Sequence, residues 1–256
     1  MRLIRTASGL ALVRTLRGPE GERIRVLQQG GVFQSATYVG QRRFEPVFSY
    51  IRAFDLAFEA VPDASRALML GGGGFSWPKH VLAARDRVSI DVVEIDPAVV
   101  DAAKRYFYVD ELLADPATAG RLDVACVDGR AFLDGSARGP SPLYDVIVND
   151  TFAGAEPVRS LATVEAARSV RACLDGDGIY LANVVSRDGG VDVSFLRDEV
   201  ATLLEVFSHV HVVPVEDDEL AGEDNYIVAA TDGSWVPAGS VPFDAGFPGS
   251  VLRDAL

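Results

Sequence analysis

The sequence predicts an α/β fold in which a seven-stranded sheet carries helices on both faces and follows a small N-terminal antiparallel β-domain. From residue 66 onward, short apolar runs alternate with segments of helical periodicity, as in parallel strands joined by helices. Residues 1–45 instead contain short segments rich in β-branched residues, separated by glycine-rich turns. The last two apolar runs have no helical segment between them, so we expect them to pair antiparallel.

The sequence predicts a β-hairpin domain, residues 1–45, and a larger α/β domain, residues 46–256. In the first domain, "RGPEGE" and "QGG" are the turn signals that separate the strand-like segments. Residues 45–61 begin at the domain boundary, and apolar residues recur in them at helical spacing. This segment is therefore predicted to form a helix before the first strand of the large sheet.

The remaining elements follow the same alternation along the chain. Seven apolar runs are predicted strands: 66–70, 89–96, 122–128, 144–150, 178–186, 209–215 and 225–232. Five segments between them are predicted helices: 78–86, 97–107, 129–135, 164–174 and 193–207. Pro78 and Pro97 suit the first turns of two of these helices, where the missing N–H is not needed. The acidic run 216–224 is interpreted as a solvated hairpin loop.

Composition narrows the function classes. The chain has 256 residues and a net charge of −13, which disfavours nucleic acid as a partner because the phosphate backbone is also anionic. No apolar run reaches the roughly 20 residues needed to cross a bilayer, and no signal peptide is visible, so we expect a cytoplasmic protein without a membrane partner. Cys126 and Cys173 fit neither a disulfide framework nor a zinc spacing, and no metal is expected.

Four consecutive predicted strands end in glycine, a carboxylate or an amide. These residues are Gly71, Gly72, Gly73 and Gly74, then Glu94 and Asp96, then Asp128 and Gly129, then Asn149 and Asp150. Ligands of doubly wound sheets bind at this edge, and glycines let a ligand approach backbone N–H groups. Glu94 suits the two hydroxyls of a ribose, and Asp128 suits an exocyclic amine. The pattern predicts an adenosine-shaped site, whereas the glycines alone would also fit a tight turn without a ligand.

The type of nucleoside follows from two further features. Gly71, Gly73 and Ser76 approach a dinucleotide fingerprint, so NAD is an alternative. The antiparallel final strand and the acid after the third strand fit a fold that binds S-adenosylmethionine (AdoMet) better.

The segments "LMLGGGG", "VVEIDPAVVDAAKRYF", "DVACVDGRAFL" and "YDVIVNDTF" resemble the spermidine synthases and their relatives. The resemblance covers about residues 28–230 and implies a class I AdoMet-methyltransferase sheet, which is Rossmann-like. It implies AdoMet or decarboxylated AdoMet as the cofactor, with Glu94 on the ribose, Asp128 on the adenine and Gln34 also in contact. It further implies that Asp150 is the catalytic base, and that a homodimer or homotetramer forms through the N-terminal β-domain.

Two acids of the family pattern are missing. Gly74 stands where the relatives' G-G-G-D-G-G motif has aspartate, and Ala153 replaces the second aspartate of D-S-S/T-D-P. Phe48 is matched to a tyrosine of the family. An acid at position 74 would attract the ammonium of decarboxylated AdoMet, whereas Gly74 with open amides suits the carboxylate of AdoMet. The sequence therefore favours methyl over aminopropyl transfer.

The acceptor is expected to be a small nucleophile, with amines among the candidates. Asn149, Thr151 and Phe152 are the residues expected to position it. Two alternatives stay open: a true polyamine aminopropyltransferase, and a relative that binds the nucleoside without catalysis.

Overall fold

The N-terminal part forms the predicted antiparallel sheet. The computed structural model describes residues 1–138, 143–153, 156–186, 192–215, 224–242 and 249–255. Four strands pair in chain order: β1 (Arg2–Thr6), β2 (Gly9–Arg17), β3 (Arg23–Gln29) and β4 (Val32–Tyr38). Gly30 and Gly31 both have positive φ, which lets a two-residue turn join β3 to β4.

The segment predicted as one helix over 45–61 is divided into three short helical pieces. They are α1 (Ser49–Ala53), a 3₁₀ turn (Phe54–Leu56) and α2 (Ala57–Ala60). Residues before α1 are not helical because Pro46 disfavours helix at the preceding residue, and Phe48 has an extended backbone.

The predicted seven-stranded sheet is confirmed. Its strands are β5 (Arg66–Leu70), β6 (Ser89–Val93), β7 (Leu122–Ala125), β8 (Tyr144–Asn149), β11 (Leu174–Val185), β12 (His209–Pro214) and β13 (Asn225–Thr231). Their order is β12-β13-β11-β8-β5-β6-β7, and β13 is antiparallel to both of its neighbours. The strands β5, β6, β7, β8 and β11 run parallel, so their carboxyl ends meet at one edge.

Six α-helices follow the 45–61 region in the described part of the chain. They are α3 (Ser76–Ala84), α4 (Pro97–Tyr106), α5 (Val109–Ala114), α6 (Gly129–Arg138), α7 (Val164–Cys173) and α8 (Ser194–Leu204). The sequence did not predict α5, nor the two-residue strands β9 (Phe152–Ala153) and β10 (Glu156–Pro157). Apart from Asp224, the acidic run 216–224 lies outside the described residues. None of the described helices is both long and apolar enough to cross a membrane.

Both faces of the large sheet are covered by apolar side chains. On one face, Trp77 and Phe54 pack with Met69 of the sheet and with Ile24 and Val26 of the N-terminal strands. This shared core fixes the N-terminal sheet against the α/β body and brings β4 over the loop that follows β5.

A C-terminal segment, residues 249–255, closes the opposite face. Leu252 accepts a hydrogen bond from the N–H of Val164, and its own N–H donates to Thr202. The Asp254 carboxylate accepts two hydrogen bonds from the Arg130 guanidinium, at 2.9 and 2.8 Å. This bidentate pair holds the start of α6.

Candidate active site

A cavity of about 210 Å³ lies at the carboxyl ends of β5, β6, β8 and β11, beneath β4. Most of the residues singled out in the sequence line it. These are Gln34, Gly71, Gly72, Gly73, Glu94, Asp96, Asp128, Gly129, Asp150, Thr151 and Phe152. Gly74 and Asn149 do not line it. The strand-end residues therefore meet in one cavity, as parallel strands require.

Gly71 ends β5 in a conformation that needs glycine. Its φ is +86°, and a Cβ there would lie 2.4 Å from the backbone oxygen of Asp150. The N–H of Asp150 also donates to Leu70 at 2.9 Å. The missing side chain thus lets the ends of β5 and β8 approach, which brings Asp150 beside the glycine loop.

Glu94 organises the glycine loop through its carboxylate. The N–H groups of Gly72 and Gly73 donate to Oε2 at 2.9 and 3.1 Å, and the N–H of Asp96 donates to Oε1 at 3.0 Å. A carboxylate has about four lone-pair sites, so acceptor capacity remains for ribose hydroxyls. The two loop amides are thus directed at Glu94, and their hydrogen bonds fix the glycine loop against the end of β6.

Gly74 does not offer the open amide that the sequence predicted. Its N–H donates to Ser35 Oγ at 2.7 Å. A Cβ at this position would lie 2.9 Å from both the Phe107 ring and the Ser35 Cβ. The prediction of a free amide at Gly74 is therefore wrong, because β4 and the end of α4 close around this residue.

Asp96 and Asp128 line the cavity and also cap helices. Asp96 accepts the N–H of Ala98 at the start of α4 and, through its other oxygen, the N–H of Ala7 in the β1–β2 turn. The exposed Asp128 accepts the N–H of Ala131 at the start of α6. Both carboxylate oxygens of Asp96 thus accept hydrogen bonds from backbone N–H groups, whereas the capping hydrogen bond of Asp128 uses one oxygen, Oδ1.

Asp150 lies half-buried in the cavity wall with two hydrogen-bond donors. Asn183 Nδ2 donates to Oδ1 at 3.0 Å, and the Tyr50 hydroxyl donates to Oδ2 at 3.4 Å. Burial raises the pKa of Asp150 to about 6, and the two hydrogen bonds oppose this rise because they favour the carboxylate. A carboxylate with a pKa near 6 is suited to accept a proton at neutral pH.

The tyrosine beside Asp150 is Tyr50, not the position of Phe48 that the sequence comparison suggested. The Phe48 ring stacks on the Tyr50 ring, with centroids 5.8 Å apart. The sequence also missed Asn183 and Ser35. A single asparagine within the apolar run "YLANVV" was the available signal for Asn183, and no comparable signal marked Ser35.

The three residues expected to position the acceptor do not share one surface. Thr151 and Phe152 line the cavity. Asn149 lies behind them, where its Oδ1 accepts the Thr151 hydroxyl at 2.7 Å and its Nδ2 donates to the Tyr180 hydroxyl at 2.9 Å. The structure thus corrects the expected role of Asn149, which orients Thr151 rather than facing the cavity. Within the described ranges, no group of three His, Cys, Asp or Glu side chains could hold a metal ion.

A family model for the spermine/spermidine synthase domain matches residues 53–212. A polyamine aminopropyltransferase from Vibrio vulnificus (strain CMCP6) is 29% identical over 185 residues, which cover 72% of this chain and 57% of the relative. The eEF1A lysine and N-terminal methyltransferase of Homo sapiens is 29% identical over 159 residues, which cover 59% of this chain and 21% of the relative. The chain thus spans little over half of one relative and about a fifth of the other.

Two solved structures share the fold. A probable spermidine synthase from Corynebacterium glutamicum ATCC 13032 has a TM-score of 0.72 at 24% identity, covering 93% of this chain and 82% of that chain. A spermidine synthase in complex with the transition state analogue AdoDATO has a TM-score of 0.63 at 19% identity, covering 86% and 74%. These likenesses confirm the predicted fold class, and the named relatives are transferases.

Proposed function

Because this chain belongs to the spermine/spermidine synthase family, we propose that it is a transferase that uses AdoMet or decarboxylated AdoMet. In this proposal it transfers an alkyl group, methyl rather than aminopropyl, to a small nucleophile. The observation that carries the proposal is Asp150, a half-buried carboxylate with a pKa of about 6 in the same cavity as the glycine loop, Glu94 and Asp128. A base and a nucleoside site in one cavity are what such a transfer requires.

The donors and acceptors of the cavity fit a sulfonium nucleoside. Glu94 keeps acceptor capacity for the ribose, and Asp128 is an acceptor for an adenine amine. Ile95 and Val127 are 60% and 44% exposed beside these two acids, so their apolar surfaces are available to the flat face of a base. When bound, the cofactor supplies a carbon that its positive sulfur has already activated.

The chain's own residues handle the acceptor and its proton. Asp150, with a pKa of about 6, is roughly nine-tenths ionised at pH 7 and can accept a proton from the nucleophile. Asn183 and Tyr50 hold it as a carboxylate. The Asn183 Oδ1 atom is buried and has no hydrogen-bond partner in the described structure, so it can accept an N–H of an amine whose other N–H is directed at Asp150. Phe48 and Phe152 line the same cavity and limit the access of water.

The preference for methyl transfer rests on the surroundings of Gly74. Ser35 and Phe107 occupy the space that an acidic side chain would need. A carboxylate about 4 Å from the ammonium of decarboxylated AdoMet would contribute roughly 4 kcal/mol at an effective dielectric constant of 20. Without that contribution, the cavity has no selective attraction for the decarboxylated cofactor at this point.

A second candidate is polyamine aminopropyl transfer, which the family model and the Vibrio vulnificus relative favour. In either case we propose a homodimer or homotetramer formed through the N-terminal sheet. Leu3 and Leu10 of β1 and β2 are 69% and 62% exposed, and such apolar side chains are often covered by a partner. A cytoplasmic location, with small molecules rather than nucleic acid or membrane as partners, belongs to the same proposal.

Calorimetric titration with AdoMet, decarboxylated AdoMet and methylthioadenosine tests the proposal, together with product analysis on a panel of amines. We expect tighter binding of AdoMet and methylated product. Asp150→Asn should retain cofactor binding and lose at least a hundredfold in transfer rate. Efficient aminopropyl transfer would instead establish the second candidate. Binding of a nucleoside without any transfer would support a non-catalytic relative, and binding of none would refute the nucleoside site.

A further inference from the structure

A second, much smaller cavity lies behind the main one. Its volume is about 20 Å³, and Thr151, Val158 and Asn183 contribute to the walls of both cavities. Asn149 also lines the small cavity, and Glu199 of α8 reaches it from the helical side. The proposed active site therefore has a polar space behind it, where the rest of that sheet face is apolar.

The Glu199 carboxyl group has an unusual environment. The residue is 3% exposed, its Oε2 atom is fully enclosed, and no described residue makes a hydrogen bond to that atom. Burial raises the pKa of Glu199 to about 8, so the carboxyl group carries its proton at neutral pH. Tyr180 is the titratable group that interacts electrostatically with Glu199, and apart from Glu199 the side chains that line the cavity are neutral. A buried carboxyl group of this kind is expected to have a partner.

The opposite wall carries the side chains that orient Thr151. Asn149 Oδ1 accepts the Thr151 hydroxyl, and Asn149 Nδ2 donates one hydrogen atom to the Tyr180 hydroxyl. The same nitrogen carries a second hydrogen atom that can serve as a donor. The amide of Asn149 and the carboxyl of Glu199 thus border one space with hydrogen-bonding capacity left on each side.

A cavity holds one water molecule when it offers roughly 10–15 Å³ or more and two to four polar partners. The cavity of about 20 Å³ meets both conditions. We infer that it is a binding site for a single water molecule, and that Glu199, acting through this water, is a positioning residue for the Asn149–Thr151 pair next to Asp150. The water site stands on the structure alone, while its catalytic consequence rests on the proposed function.

Two substitutions at Glu199 separate the roles. Glu199→Gln keeps the shape and the hydrogen-bonding capacity of the protonated acid, whereas Glu199→Leu removes both and fills part of the cavity. Glu205→Gln is the matched control, since it changes a glutamate just beyond the end of the same helix whose side chain is 47% exposed. Each variant is tested for stability, for AdoMet binding and for kcat and KM in transfer.

A high-resolution crystal structure of the wild type should contain one water within 3.2 Å of a Glu199 oxygen. Glu199→Gln should keep this water and its kcat, and Glu205→Gln should match the wild type. Glu199→Leu should lose the water, reorient the Thr151 hydroxyl and lower kcat about tenfold with little change in KM or in AdoMet affinity. A dry wild-type cavity, or full kcat in Glu199→Leu, would overturn the inference. If the wild type transfers no group, the proposed function fails. The water site is then still tested by whether the crystal structures contain the water and whether Glu199→Leu reorients the Thr151 hydroxyl.

Discussion

Asn183→Leu is expected to raise the pKa of Asp150 because it removes the shorter of the two hydrogen bonds to the carboxylate. Asn183 Nδ2 lies 3.0 Å from Asp150 Oδ1, while the Tyr50 hydroxyl lies 3.4 Å from Oδ2. Hydrogen bonds to charged groups contribute roughly 1.5–3 kcal/mol, and one pKa unit corresponds to about 1.36 kcal/mol. The pKa of Asp150 should therefore rise from about 6 by roughly one to two units.

This shift has a measurable consequence for activity. The base must be ionised to accept a proton, so the acidic limb of the kcat/KM profile should move from near pH 6 toward pH 7–8 in Asn183→Leu. Tyr50→Phe should move the limb less, because its hydrogen bond is longer. Carboxyl ¹³C NMR of Asp150 measures the same titration without any substrate.

The reasoning fails if Asn183→Leu leaves both the NMR titration and the acidic limb unchanged. It also fails if Tyr50→Phe produces the larger shift. The first result would mean that burial alone sets the pKa of Asp150, and the second that the Tyr50 hydroxyl contributes more than Asn183 does.

Two further predictions concern stability. Burial and the nearby Arg25 lower the pKa of Lys79 to about 7, whereas a lysine in the unfolded chain keeps its proton to about pH 10.5. Between these two pH values the unfolded chain binds more protons than the folded chain. The free energy of unfolding should therefore rise with pH over this range, by at most about 5 kcal/mol. Lys79→Met should flatten this rise in urea unfolding at pH 7 and pH 10, and an unchanged slope would contradict the assignment. Gly71→Ala should lower the free energy of unfolding by more than about 2 kcal/mol and abolish AdoMet binding, because its Cβ would meet the Asp150 backbone. Gly135→Ala, in open space on α6, should leave binding unchanged, and equal behaviour of the two variants in calorimetry would refute the steric argument.

Much of the fold was predictable because the parallel strands are buried on both faces. Such strands appear in the sequence as unbroken apolar runs, and the segments between them keep helical periodicity. The short elements were not predictable: α5 has six residues, and β9 and β10 have two each. Elements of this length depend on tertiary contacts more than on local sequence pattern.

The site shows the same limit. Strand-end residues were predictable because parallel strands end at one edge, but Tyr50 and Ser35 come from elements whose approach to that edge depends on tertiary packing. The orientation of Asn149 was not predictable in this way. Asn149 is the last residue of β8 and its amide contacts Tyr180, whereas Asp150 lies just beyond the strand end and lines the cavity. A position at the end of a strand therefore did not decide which of the two residues faces the cavity.

The pair between Arg130 and Asp254 also has a consequence for the order in which the protein folds. The two residues are 124 positions apart, and Arg130 lies two residues after Asp128 at the proposed adenine end of the cavity. During synthesis, the start of α6 is released from the ribosome long before its partner exists. Contacts of such large separation form late, because the loop between them must close first. A nascent chain that has not yet reached residue 254 has the start of α6 without this bidentate partner, so the pair forms only after that residue has been synthesised.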